Sequence, residues 1–411
     1  MTEKTCYVKE NRQSEGAERP AKTPGQRSAM WAEGLFWLDF FVYFLHLRKK
    51  VNASTARVVV SELLLHLIKN LSSLDDILYL FLELIYQTMK LIPLLVIIQL
   101  VWLSCSSPTK PFPQAKITNG QIDALLYLPD PENGYYRGSR FDWSGVIPEL
   151  SYQGHTYFGQ WFKEYNPTLH DAIMGPVEAF SPIGYEEASP GDPFLIVGIG
   201  MVSRMDTLPL HFTKPYPLLN GGTWTTKQQE NQVTFVQQLD HDGYGYEYTK
   251  TVQLTAGKPE MILFHRLKNT GTKVIETDVY NHNFFVIDEQ PTGPDFTITF
   301  PFQLQGEAVG KVAEVGRLEG NILHYNRVIA ENESFIYNPL LGHSDQISDY
   351  DIHIENHRTG AGVRIIGDHP LSKLVCWSTH KTLCPEPYIK LMIPPGETTE
   401  WTLSYVFYEK D

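Results

Sequence analysis

GYGYEYTKTVQL, residues 243–254, alternates large apolar and polar side chains with a period of two. Tyr244, Tyr246 and Tyr248 fall on one face of an extended chain, because successive side chains of a β-strand point to opposite faces. This periodicity predicts a β-strand with one buried face. The same pattern recurs in VTFVQQL (233–239), MILFHRL (261–267), FTITFPF (296–302), DIHIENH (351–357) and WTLSYVFY (401–408).

Short turn signals separate these strands, namely AGKP (256–259), NTG (269–271), TGAG (359–362) and PPG (394–396). Helical periodicity is scarce throughout the same part of the chain. Many strands in series with short turns favour a single large antiparallel β-sandwich or barrel over an alternating βαβ domain. We therefore predict an all-β fold class, with one domain over residues 116–411.

The first 110 residues have a different sequence pattern, with apolar blocks that predict two or three hydrophobic helices. Within them, Met89 and Lys90 precede the apolar run 91–103 and the sequence SCSS at 104–107. A methionine, a basic residue, a short apolar run and a cysteine form the layout of a bacterial lipoprotein signal. The run has 13 residues, whereas a membrane-spanning helix needs about 20.

This layout predicts that Met89 is the biological start and that cleavage before Cys105 leaves a lipidated N-terminus. Residues 1–88 are then an upstream apolar segment, 89–105 the signal and 106–115 a linker. The protein would be exported and membrane-anchored, in the periplasm or on the surface of a bacterium. The alternative is a genuine helical membrane or packing segment over 31–104. Trp102 stands where such signals usually have leucine.

The charge of the chain is distributed unevenly. The formal net charge is -13. Residues 1–105 hold 12 basic and 10 acidic side chains, so residues 106–411 hold 22 basic and 37 acidic side chains, a net charge of -15. Such a surface repels phosphate backbones, and the sequence has no basic stripe with interleaved aromatic residues. We therefore expect no nucleic-acid partner.

Several catalytic signatures are absent from the sequence. It has no G-x-S-x-G elbow, no P-loop and no G-x-G-x-x-G segment. HIENH (353–357) places two histidines and a glutamate on one face of a strand, a set that a metal ion can use. A solvated polar face explains the same alternation more simply, so we predict no metal site.

The cysteines leave two alternatives. An oxidising compartment permits a disulfide between Cys376 and Cys384 across a hairpin, while two reduced, buried thiols are the simpler interpretation.

One histidine stands in a segment that otherwise predicts a buried strand. His282 lies near the end of the segment RLKNTGTKVIETDVYNHNFF (266–285). This segment contains a strand, an Asn-Thr-Gly turn and a second strand with the sequence Asn-His-x-x-Phe. This segment resembles the aldose 1-epimerase (galactose mutarotase) superfamily. The resemblance extends to the C-terminal residues 357–407, with a Cys-x-Glu segment and a P-G-E turn, and to YYRGSRFDWSGVI (135–147) and LHDAIMGPVEAF (169–180).

The resemblance implies a galactose mutarotase-like supersandwich that acts on sugars without a cofactor. It assigns the acid to His282 and the base to Glu386. Ring opening removes a proton from the C1 hydroxyl and delivers one to the ring oxygen, so an acid and a base are needed on either side of the sugar. A structural histidine would instead be buried, with Glu386 out of reach. The predicted sugar-binding residues are Arg140 or Arg137, His170, Asn281 and Trp377.

The assignments of His170 and of the two arginines to sugar binding have less support from the sequence than the others. LHDAIMG replaces the His-Gly-Gly run that is usual around the residue matched by His170. Arg137 and Arg140 have an alternative role in salt bridges with Glu132 or Asp142. Further residues considered for sugar contact are Asp288, Asp295, Trp143, Trp161 and Trp224.

Three functions remain open from the sequence. The first is an anchored enzyme that interconverts the anomers of a mono- or oligosaccharide. The second is a carbohydrate-binding β-sandwich lipoprotein without catalysis, since a fold does not determine a function. The third is an accessory lyase or hydrolase, although no second carboxylate pairs convincingly with Glu386, as a glycosidase requires.

Overall fold

A computed structural model describes residues 78, 82, 85, 86, 111–306 and 311–410. The chain divides into two compact units, Met1–Thr109 and Lys110–Asp411. In the first unit the four described residues are helical. Among the described residues, no helix has the length and apolarity that a membrane crossing requires. The predicted signal 89–105 with Cys105, and nearly all of the upstream segment 1–88, lie outside the described residues.

The second unit is built from antiparallel strands, numbered here in chain order. A ten-stranded sheet has the order β15 (Gly316–Glu319), β16 (Ile322–Tyr325), β14 (Phe296–Thr299), β18 (Asp351–Asn356), β19 (Ala361–Gly367), β22 (Thr398–Glu409), β12 (Glu260–Asn269), β11 (Tyr244–Leu254), β10 (Gln232–His241) and β9 (Thr223–Gln228). A five-stranded sheet has the order β17 (Ser334–Tyr337), β20 (Lys373–Thr379), β21 (Leu383–Ile393), β13 (Ile275–Phe284) and β5 (Gly175–Phe180).

Two smaller sheets complete the second unit. One contains β1 (Gln114–Thr118), β2 (Ile122–Tyr127), β3 (Val146–Tyr152) and β4 (His155–Thr156), and the other β6 (Pro193–Ile196), β7 (Gly200–Ser203) and β8 (Leu218–Asn220). The described helical elements of this unit are the short helix Lys311–Val315 and the 3-10 turn Ile347–Asp349. The predicted all-β fold is confirmed.

The period-two pattern determines which face of each strand is buried. In β11, Tyr246, Tyr248, Val252 and Leu254 are buried, as the alternation predicts. The first strand begins at Gln114, inside the segment assigned to the linker 106–115, because β1 pairs in register with β2 from its first residue.

The ten-stranded and five-stranded sheets pack face to face. The ring of Phe180 in β5 lies 5.5 Å from that of Tyr248 in β11 and 6.2 Å from that of Trp401 in β22. Both contacts are edge-on, an arrangement that aromatic pairs favour. The core of the second unit therefore includes the space between these sheets, as expected of a β-sandwich.

A buried ionic network crosses this space. Glu178 in β5 forms a salt bridge with Lys250 in β11, and its other oxygen lies 2.9 Å from Nε2 of His265 in β12. The Lys250 side chain is completely buried, and the Glu178 side chain is 1% exposed. Burial favours a protonated Glu178, but the opposing effect of Lys250 and His265 is larger and holds the pKa of Glu178 below its ordinary value.

The same network holds the loop that follows Tyr136. Asp142 accepts hydrogen bonds from the hydroxyls of Ser144 (2.5 Å) and Tyr248 (3.0 Å), and its backbone N–H donates to the carbonyl of Glu178 (2.8 Å). Burying a carboxylate without such hydrogen bonds would cost free energy of folding. These bonds therefore hold the loop against both sheets. Arg140 lies two residues before Asp142 on this loop.

The register between β13, β21 and β20 brings distant parts of the chain together. Tyr280 in β13 pairs with Tyr388 in β21, and Tyr388 also pairs with Lys373 in β20. Two residues further along, the same antiparallel register places His282 beside Glu386. One face of the five-stranded sheet thus carries both residues.

The cysteines of β20 and β21 are both free and buried. Cys376 pairs with Pro385, whereas Cys384 pairs with Trp377. Since neighbouring positions on a strand point to opposite faces, the two thiols project from opposite faces of the hairpin. The disulfide alternative is therefore not formed.

Candidate functional site

His282 and Glu386 are in direct contact. Nε2 of His282 lies 3.3 Å from Oε1 of Glu386, and the two side chains are 2% and 8% exposed. The histidine is buried, as a structural residue would be, yet Glu386 is within reach, as an acid–base pair requires. A distance of 3.3 Å leaves no room for a sugar ring between these two atoms, so the expectation that they flank a ring on opposite sides is not met.

Aromatic rings surround the imidazole of His282. The ring of Phe284 stacks on it at a centroid distance of 3.8 Å. The ring of Trp161 also stacks on Phe284, at 5.1 Å, and the ring of Trp377 meets the imidazole edge-on at 5.8 Å. Trp161 and Trp377 are partly exposed. Partly exposed side chains such as these, around the buried pair of His282 and Glu386, form the rim of the site.

Arg140 occupies a second part of the rim. Its guanidinium forms a salt bridge with Asp171 through Nη1, and Nη2 lies 3.4 Å from the hydroxyl of Tyr280. The rings of Phe141 and Phe212 lie 4.5 Å and 4.2 Å from the guanidinium carbon, a cation–π arrangement.

His170 lies against the same carboxylate. Its Nε2 is 3.2 Å from Oδ2 of Asp171. The structure therefore joins the predicted residues Arg140 and His170 through Asp171, a residue that the sequence did not single out. Its position directly after His170 was the available signal.

Burial changes the proton affinity of the central pair. It raises the pKa of Glu386 to about 7, with further effects from Arg140, Asp171 and Lys373. Burial, and then the positive charge of Arg140, hold the pKa of His282 well below its ordinary value. Near neutral pH the histidine is therefore uncharged, and Glu386 is close to the midpoint of its titration.

Two buried nitrogens at the site have no hydrogen-bond partner in the structure, Nδ1 of His282 and Nε of Arg140. An unpaired buried polar atom costs free energy of folding, so such atoms often mark the place of a bound water or ligand. Together with the partly exposed aromatic rings, they give the site polar groups and stacking surfaces of the kind that sugars use.

Asn281 lies apart from the other predicted residues. It points to the opposite face of β13 from His282, where its Nδ2 donates to Glu178 (2.9 Å) and its Oδ1 accepts from Tyr405 (2.5 Å). Because it is buried between the two large sheets, it does not line the same surface as His282. The assignment of Asn281 to sugar contact is corrected accordingly.

Arg137 has different hydrogen-bond partners from Arg140. Its Nη1 lies 3.5 Å from the carbonyl of Pro131, and its backbone N–H donates to Pro167. Of the two candidate arginines, Arg140 is the one that contacts Asp171. The salt-bridge partner of Arg140 is therefore Asp171, not Glu132 or Asp142.

The remaining candidates lie elsewhere. Asp288 bonds to His155, Asp295 lies 3.9 Å from Arg358, and the indole of Trp143 is buried with its N–H donating to Gly138. Trp224 belongs to β9, at the edge of the ten-stranded sheet.

The polar face of HIENH is divided among separate partners. His353 lies 3.3 Å from Asp351, Glu355 pairs with Lys410, and His357 contacts Thr297. Across residues 111–306 and 311–410, no group of three or more possible metal ligands is found.

A separate surface groove of about 1020 Å³ lies beside the small sheet of β1 to β3. Its lining includes Lys116, Glu149, Gln160, Glu289 and Lys381, and it contains none of the predicted sugar-binding or catalytic residues. We place the candidate site at His282 and Glu386 because these two buried side chains are in contact and Nδ1 of His282 has no hydrogen-bond partner in the structure.

No family model matches the chain, and no curated protein matches it. Solved structures similar to it include a protein from Synechocystis sp. PCC 6803 (14% identity, 74% of this chain and 98% of that chain, TM-score 0.47). A galactose mutarotase-like protein from Clostridium acetobutylicum has 13% identity over 72% of this chain and 94% of that chain, with a TM-score of 0.45. A galactose 1-epimerase from Lactobacillus acidophilus has 10% identity over 74% and 97%, with a TM-score of 0.41.

The second and third of these structures carry names from the group that the sequence motifs resemble. At such identities, and with TM-scores below 0.5, they assign neither a family nor an activity to this chain. The all-β architecture rests on the strand pairing of the chain itself.

Proposed function

We propose that the second unit binds a free reducing sugar over the face of β13 and β21 and interconverts its anomers. The single observation that carries this proposal is the 3.3 Å contact between a buried histidine and a buried carboxyl group. Each has a shifted pKa, which is typical of groups that transfer protons. No cofactor is part of the proposed reaction.

The adjacent positions of the two groups suit this reaction from one side of the sugar. The C1 hydroxyl oxygen and the ring oxygen are bonded to the same carbon, so neighbouring acid and base atoms can address both. One group removes the hydroxyl proton as the C1–ring oxygen bond breaks, and the other protonates the ring oxygen. Rotation of the aldehyde and the reverse steps give the other anomer and restore both groups.

The direct test is the rate of anomer equilibration. Freshly dissolved α-glucose, α-galactose and a reducing disaccharide are followed by polarimetry with and without the protein. Faster equilibration of at least one sugar is expected. Saturable binding of a sugar without acceleration would instead support the second candidate, a non-catalytic carbohydrate-binding protein. The low exposure of His282 and Glu386, 2% and 8%, favours that candidate, since it gives a sugar little access to the two groups.

The proposed reaction predicts a decline in activity as pH rises through about 7. Proton transfer needs one group with a proton and one without, so the active pair holds a single proton, wherever that proton resides. Glu386, whose pKa is raised to about 7 by burial, loses this proton as pH increases. We expect kcat/KM to fall between about pH 6.5 and 8.5. A constant kcat/KM over this range would contradict the assignment.

We also propose that the native protein carries a lipid anchor at Cys105 and that its sugar partner is met outside the cytoplasm. The arrangement of Met89, Lys90 and SCSS supports this. Intact-mass measurement of protein purified from its own membrane fraction should show a chain that begins at Cys105 and carries acyl groups. A chain that begins at Met1 without lipid would contradict it.

A further inference from the structure

Asp171 connects the guanidinium of Arg140 and the imidazole of His170 at the rim of the site. Its two carboxylate oxygens contact different partners, Nη1 of Arg140 and Nε2 of His170. The carboxyl group is 25% exposed, and the Arg140 side chain is 11% exposed. An ion pair with this much burial is screened less by solvent than a pair on the open surface.

The guanidinium of Arg140 has few other partners. Its faces are covered by Phe141 and Phe212, and its remaining hydrogen bond is to the uncharged hydroxyl of Tyr280. Among the described residues, Asp171 is the carboxylate that forms a salt bridge with Arg140. Without Asp171, the cation would act on the Glu386 carboxyl without a compensating negative charge.

The titratable groups around Glu386 come from several elements. Arg140 favours the ionised form of Glu386, as does Lys373, while Asp171 opposes it. The imidazole of His282 is in contact with the carboxyl. The other titratable side chains that interact with Glu386 are Tyr280 in β13, Cys376 in β20, and Cys384 and Tyr388 in β21.

We propose that Asp171 is a positioning residue of the site, which holds the Arg140 guanidinium at the rim and offsets the effect of its positive charge on the Glu386 carboxyl group. The effect on catalysis rests on the proposed function, whereas the effect on the Glu386 carboxyl does not. Asp171 itself acts through Arg140 and need not touch the sugar.

The test is the variant Asp171→Asn, which keeps the size of the side chain and removes its charge. Titration of the 13C-labelled Glu386 carboxyl carbon by NMR, assigned through its loss in Glu386→Gln, should show a midpoint lower by at least about half a pH unit. The decline of kcat/KM with pH should move in the same direction. Asp171→Glu should restore the wild-type midpoint, because it restores the negative charge.

Two further variants separate the charge effect from a structural one. Asp351→Asn removes a carboxylate that pairs with Arg364 on β18 and β19, and it should leave the midpoint unchanged. The double variant Arg140→Met, Asp171→Asn removes both charges and should titrate close to the wild type. A midpoint in Asp171→Asn within about 0.2 pH units of the wild type would overturn the proposal. A shift in the carboxyl titration without any sugar turnover would retain it and reject the proposed function alone.

Discussion

Replacing Glu386 with Gln, or His282 with Ala, is expected to slow anomer interconversion by about 10²- to 10⁴-fold, the usual contribution of general acid–base catalysis. Gln cannot donate or accept the proton that Glu386 exchanges, and Ala removes the only imidazole in contact with Glu386 among the described residues. The loss should appear mainly in kcat, since both groups act in the transition state. Polarimetric rates at pH 6.5 measure it.

The control for this prediction is a histidine–glutamate pair that is less buried than His282 and Glu386. His324 in β16 lies 3.8 Å from Glu319 in β15, outside the site. His324→Ala and Glu319→Gln should keep wild-type rates, and thermal unfolding should show that all four variants are folded. Full activity in both His282→Ala and Glu386→Gln would end the catalytic assignment.

Replacing Lys250 with Met is expected to lower the free energy of unfolding by about 3–5 kcal/mol, because it leaves a buried carboxylate without its salt-bridge partner. Glu178 then keeps only His265 and the amide of Asn281 as side-chain partners. The double variant Lys250→Met, Glu178→Gln also removes the charge of Glu178 and should recover part of the loss, because Asp142, 3.9 Å from Nζ of Lys250, still lacks this cation. Urea denaturation with linear extrapolation measures these differences.

A surface salt bridge supplies the matched control for the Lys250 variant. Lys390 in β21 and Glu276 in β13 lie 3.0 Å apart, with side chains 58% and 54% exposed. Lys390→Met should change the free energy of unfolding by no more than about 1 kcal/mol, since exposed ion pairs contribute little. A similarly small change for Lys250→Met would show that the buried network contributes little to stability.

The site itself was only partly predictable. His282 and Glu386 were chosen from motifs, and the structure places them in contact, although the sequence contains no information about their distance. Period-two alternation already implied that Asn281 and His282 point in opposite directions, so the different position of Asn281 follows from the strand itself. The position of Asp171 beside His170 is its only signal in the sequence, and a single aspartate beside a histidine is not a distinctive pattern.

The class of fold follows from local sequence patterns. Alternation in stretches such as 243–254, together with the turns between them, specifies β-strands and their buried faces, because side-chain direction in a strand depends only on local geometry. The choice of neighbouring strands, in contrast, is visible only in the folded chain. The β13–β21 register joins residues about a hundred positions apart, and the Glu178–Lys250–His265 network joins three strands from two sheets. Such contacts depend on the simultaneous packing of many distant segments, and no local pattern in the chain contains that information.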